Sequence, residues 1–193
     1  MTPSITITQT ENAAHAKRLS LLLRRQIALQ KESLTSDADE LVEAHFEAIS
    51  KGNCLKDAQL KNLEGVAFSA ENPGEVVKFI RRQAAKDLLK KPDKQAWTHN
   101  QLNQKLEHKT TEITGRLPGK TTGPSGAKDD VIANVRAAAE EEPAVREEIL
   151  GKWSSKELEL EIQLELLREF IAQFSVFYAL KARTALSIEK GED

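Results

Sequence analysis

The sequence predicts an all-α fold, a helical bundle of six to eight helices organised by a long C-terminal helix. Two observations carry that expectation. Leu, Ala, Glu, Lys and Gln are abundant, while the chain holds six Phe, two Trp and one Tyr, a balance that favours helices over sheets. Apolar residues also recur at spacings of three and four in segment after segment, the period of helices with one buried face. With 193 residues, 39% hydrophobic and 30% charged, the chain has the material for a core and is not composed for wholesale disorder.

Residues 1–10 read as a loose arm or one short strand. A first helix is expected from about Glu11 to Ser33, with Leu19, Leu22, Leu23 and Ile27 on one stripe and Lys17, Arg18, Arg24 and Arg25 around it. Ser36 is placed to cap a second helix, with Asp37, Asp39 and Glu40 in its first turn and Lys51-Gly52 as its stop. A short helix from Leu55 to Glu64 should end at Gly65. Asn72-Pro73-Gly74-Glu75 then supplies a cap, a first-turn proline and a carboxylate three residues on. That helix runs through Val76, Ile80, Ala84 and Leu88 to Leu89, and Pro92 ends it.

Trp97-Thr98 opens the next helix, with Thr98 as cap and Trp97 packing on Leu102; its pattern fades near Ile113. Residues 115–128 hold four Gly and two Pro and read as a loop or linker. A helix from Asp129 meets Pro143, and a short piece stops at Gly151. Ser154 to Glu157 forms a capping box for a final helix reaching about Ile188. The stretch ELELEIQLEL alternates as a strand would, yet Glu, Leu and Gln are helix formers and the helical spacing continues downstream. The organisation expected is therefore a basic subdomain 1–114, a linker 115–128 and an acidic subdomain 129–193.

Charge supports that division. Met1–Lys128 carries 20 Lys/Arg against 15 Asp/Glu, and the remainder carries 8 against 15. Such asymmetry fits a basic binding surface, or two halves that neutralise one another. The single cysteine, Cys54, excludes an internal disulfide and fits a reducing compartment. The N-terminus has no signal-peptide core, and the apolar window Leu166–Leu180 is interrupted by charge and shorter than a bilayer span. A soluble, cytoplasmic chain with no membrane partner is the expectation.

Motifs for chemistry are sparse. Gly119-Lys120-Thr121 resembles part of a phosphate-binding P-loop, but the upstream glycine is one residue out of register and Gly123-Pro124 follows where a helix should begin. The four histidines lack a second His or Cys at i+3 or i+4, so no metal pair is expected, and His45 reads as a core-edge residue. Cys54 sits near a helix start, where the dipole would lower its pKa, but no partner base is identifiable. No enzyme and no cofactor is expected.

Three binding features remain. Lys78, Arg82 and Lys86 fall at i, i+4 and i+8 and are joined by Arg81, one basic helix face suited to phosphate contact. Arg24 and Arg25 add to the basic N-terminal part. The stretch from Thr98 to Leu117 resembles the helix-turn-helix pattern of DNA-binding regulators: Leu102 and Leu106 on a first helix, Ile113 and Leu117 on a second. That resemblance implies a recognition helix presenting Thr110, Thr111 and Arg116 to the major groove. It departs from the pattern at Asn103, Glu107 and His108, and a plain helix followed by a loop has the same spacing. Finally, Phe170, Phe174, Phe177 and Tyr178 make the C-terminal helix broadly apolar, as for a bundle centre or a partner-binding face. The functional expectation is a non-enzymatic helical subunit that contacts DNA or RNA through a basic helix face within a larger assembly. The alternative is a protein-interaction module, with a protein partner or a second copy on the C-terminal helix.

Overall fold

The computed structural model describes residues 21–91, 94–115, 131–135, 137 and 155–189. Helix α1 covers residues 21–29, and α2 spans Lys31–Glu43, α3 Phe46–Ser50, α4 Asp57–Ser69 and α5 Pro73–Asp87. A 3-10 turn, His99–Gln101, leads into α6, Leu102–Ile113; residues 131–135 form α7, and α8 runs Ser155–Glu189. The fold is an all-α bundle, and the described residues include no strand.

The organiser is α8. It packs against α2, α3, α4, α5 and α6, while α4 lies on α5 and α5 on α6. Both of its apolar faces are used: Leu158, Ile162, Leu166 and Phe170 on one, Leu164, Leu167, Ile171, Phe174 and Tyr178 on the other, are all buried. A helix covered from so many sides needs apolar residues around most of its circumference, and this explains the alternating segment at its start. One apolar core contains Leu34 to Ile113 from the expected basic part together with Leu158 to Tyr178 from the acidic part. The 116–128 stretch itself lies outside the described residues.

Several boundaries differ from expectation: the second helix breaks at Ala44–His45 into α2 and α3, and α5 ends at Asp87 rather than Leu89. Ser36 caps nothing, because α2 is already helical from Lys31 and the chain turns at Gln30 instead. Its stripe Leu34, Ala38, Leu41 and Val42 is buried, so tertiary burial overrides the local cap signal. Gly65 does not stop α4, which runs on to Ser69 with Ala67 in the core. Thr98 does not cap α6: Asn100 and Gln101 take positive φ of 46° and 58°. This left-handed step re-aims the chain, and the Asn103 N–H donates to the Trp97 carbonyl at 2.9 Å. Helix α5 does start at Asn72-Pro73, but the Asn72 side chain makes no capping hydrogen bond to the helix; Glu75 accepts instead from the Glu71 N–H and from Asn72 Nδ2. The Ser154 capping residue lies outside the described residues. No helix among the described residues is long and apolar enough to cross a membrane.

Candidate nucleic-acid interface

Helix α5 is amphipathic by construction. Val76, Ile80, Ala84 and Asp87 recur along one side and are buried. The same 3.6-residue period puts Lys78, Arg82, Ala85 and Lys86 on the outer side, where all are exposed. Arg81 is exposed too, but its Nε donates to Glu107 on α6 at 2.8 Å. Lys78, Arg82 and Lys86 have no carboxylate partner among the described residues. The expected stripe is therefore present, with three free cations and a fourth tied to its neighbour helix. Lys90 lies past the helix end and pairs with Asp87, whereas Lys91 and Lys94 are exposed and unpaired among the described residues.

The other expected contacts are placed differently. Arg24 and Arg25 are exposed on α1. Thr110 is fully buried, its hydroxyl without a partner among the described residues, so it cannot meet a nucleic acid in this fold. Thr111 is half-buried and its hydroxyl donates to the Glu107 carbonyl at 2.7 Å. Arg116 lies outside the described residues. The helix-turn-helix reading fails on geometry, because α6 is unbroken through Glu107 and His108, where the turn was needed. Leu102, Leu106, Thr110 and Ile113 form a single buried stripe of one helix; the spacing that suggested two helices belongs to one.

The expected partner-binding aromatics are interior. Phe170, Phe174 and Tyr178 are fully buried and Phe177 is half-buried against the core. Phe174 sits 6.5 Å from Phe170 and 5.4 Å from Tyr178, ring centre to ring centre. The Tyr178 hydroxyl accepts the Leu55 N–H at 3.1 Å, and its burial pushes its pKa up. These rings hold α8 to the loop before α4 and are closed to a partner. The apolar side chains left outside are others: Phe68 is 78% exposed, and Val176 and Leu180 are each 54% exposed. Phe68 borders a groove of about 640 Å³ between α4 and α8, with Gly65, Arg168 and Ala172. Arg168 lies 5.6 Å over the Phe68 ring. Sequence reasoning missed this groove because it ended α4 at Gly65.

His45 is not at the edge of the core but fully inside it. Neither ring nitrogen finds a partner among the described residues. Burial, followed by the nearby His99 and Lys105, lowers its pKa to about 4. Cys54 lies three residues before the first residue of α4 and is half-buried; burial pushes its thiol pKa up, against the lowering expected from a helix start. Among the described residues no three His, Cys, Asp or Glu side chains form a metal-binding group.

The fold and this face define the class as an all-α bundle displaying a basic helix face on which Lys78, Arg82 and Lys86 have no carboxylate partner among the described residues. No family model matches the chain, and neither a curated protein nor a solved structure matches it.

Proposed function

We propose that the chain is a non-enzymatic helical subunit that contacts nucleic acid through the outer face of α5. The observation that carries the reading is the line Lys78, Arg82, Lys86: exposed, one helical turn apart, and without carboxylate partners among the described residues. A surface that merely solvates a helix usually interleaves both signs, as at Lys51–Glu47 or Lys109–Glu112 here. A single-sign row about 12 Å long (eight residues at 1.5 Å) suits a chain of phosphates. Little aromatic surface accompanies it, so the contact positions rather than reads sequence.

Fluorescence anisotropy of labelled duplex and single-stranded oligonucleotides, at low and near-physiological salt, tests this. Changing Lys78, Arg82 and Lys86 together to Glu should flatten the slope of log affinity against log salt by about 3 and weaken low-salt binding more than tenfold. An unchanged slope in that variant, or no binding by the native chain at low salt, overturns the reading.

One observation favours a second reading, a protein-interaction module: the open groove beside Phe68, continued along α8 by Val176 and Leu180. Its occupant would be a second copy of the chain. Sedimentation equilibrium then shows a mass that rises with concentration and falls back to monomer in Phe68→Ser; a monomer at all concentrations excludes it.

A further inference from the structure

The basic row on α5 ends in two leucines that face water. Leu88 is 68% exposed and Leu89 is 90% exposed. Single exposed leucines are ordinary on protein surfaces, so exposure alone decides nothing. Two further features set this pair apart.

The first is rigidity. The Leu88 N–H donates to the Ala84 carbonyl at 3.1 Å, and Leu88 itself keeps right-handed helical backbone. Leu89 N–H reaches the Lys86 carbonyl at 3.3 Å, and Lys90 N–H the Asp87 carbonyl at 2.8 Å. Beneath them the Asp87 carboxylate is fully buried and accepts from the Trp97 backbone N–H and from Lys90 Nζ. Trp97 is buried and packs edge-on against Phe79, 6.0 Å between ring centres. Gln95 Nε2 closes the turn on the Lys90 carbonyl at 2.9 Å. The tip is therefore clamped to the core, and its leucines are held out in water instead of folding back onto α5.

The second is alignment with charge. Leu88 and Leu89 follow directly on Asp87, the last residue of α5, so they stand at the C-terminal end of the helix that carries the Lys78–Arg82–Lys86 row. From Val76 to Trp97 the sequence has seven Lys/Arg and two acids, Asp87 and Asp93; Asp87 is turned inward. Lys78, Arg82 and Lys86 trail back from the leucines along one face of α5, while Lys90, Lys91 and Lys94 follow them in the turn. A linear cationic track ending in an apolar pair fits a duplex, whose phosphates run in a line and whose base steps accept apolar wedges from the minor groove.

We infer that Leu88 and Leu89 form a wedge that enters a base step of duplex DNA from the minor groove while Lys78, Arg82 and Lys86 hold the flanking phosphates, so that the chain bends the duplex it binds. The inference rests on the nucleic-acid reading of the same face. Separating base pairs costs a few kcal/mol, which the longer phosphate contact along a bent duplex offsets.

The experiment uses the full chain and a short duplex carrying donor and acceptor dyes at its ends, with affinity read in parallel by anisotropy. Native protein should raise energy transfer. Leu88→Ser with Leu89→Ser, both at exposed positions, should keep the helical circular dichroism and the salt slope, lose the rise in transfer, and bind about tenfold more weakly. The Lys78, Arg82, Lys86 to Glu variant should lose binding and bending together. If the leucine variant bends the duplex as the native chain does, or the native chain binds without bending, the wedge is overturned while the phosphate reading stands. If the native chain binds no duplex, both fall. Vesicles of phosphatidylserine and of phosphatidylcholine form the last arm. Binding confined to the anionic vesicles, with none to duplex, and abolished in the leucine variant, overturns the wedge in favour of a lipid surface.

Discussion

Replacing His45 with leucine should abolish a loss of stability that the native chain suffers between neutral pH and pH 4. His45 is fully buried, with the His99 ring centre 6.2 Å away and the Tyr178 ring centre 5.9 Å away. Burial is the main cause of its lowered pKa, with His99 and Lys105 adding repulsion, and the value falls from 6.5 to about 4. The folded state therefore binds the proton less readily than the unfolded chain. Stability from the neutral ring is complete above pH 6.5, drains as pH falls, and is gone below about 4, where both states are protonated. A difference of about 2.5 units at 1.36 kcal/mol each gives about 3 kcal/mol in all, of which about 2 kcal/mol is lost by about pH 5. Urea unfolding of the native chain and of His45→Leu, at about pH 7.5 and about pH 5, measures it. The native midpoint should drop much further than the variant's. At neutral pH the variant should be as stable or more so, because it removes two ring nitrogens that lack partners among the described residues. Equal drops in the two proteins would refute the assignment of this histidine as the titrating group.

Two further substitutions test the packing. Gly65 sits within α4, and a Cβ built on it meets nothing within 4 Å, so Gly65→Ala should raise stability by about 0.5–1 kcal/mol. A thermal melt that shifts downward instead would show that α4 does not run through Gly65. Asp87→Ala leaves the Trp97 N–H and Lys90 without their acceptor and should cost about 1–3 kcal/mol. An unchanged chemical-denaturation midpoint would mean that this carboxylate does not clamp the turn after α5.

What the sequence made legible was what is local. The start of α5 was readable because its cap, proline and carboxylate lie within four residues. The long α8 was readable because helical spacing persists through 35 residues, long enough to outweigh the alternating stretch at its beginning. The stripe Lys78, Arg82, Lys86 followed from helical spacing alone. What failed depended on distant packing. Ser36 carries the chemistry of a cap, yet the burial of Leu34 and Ala38 keeps the helix going past it. Arg81 looked equivalent to its neighbours until α6 brought Glu107 to it from 26 residues away. The aromatics of α8 could face a partner or a core on identical spacing, and only the number of helices covering α8 decides between them.

The enclosure of α8 constrains where function can reside. Since Phe170, Phe174 and Tyr178 are enclosed, α8 serves assembly of the bundle itself, and any external contact must use what the bundle leaves outside. Among the surfaces left outside are the cationic row of α5 with its leucine tip and the α4/α8 groove beside Phe68. They answer oppositely to salt. Contact through Lys78, Arg82 and Lys86 weakens as counterions compete for phosphate, whereas apolar contact at Phe68, Val176 and Leu180 is unscreened and is strengthened by excluded salts such as sulfate. A complex that dissolves in moderate chloride thus assigns the activity to α5. One that survives chloride and tightens in sulfate assigns it to the groove.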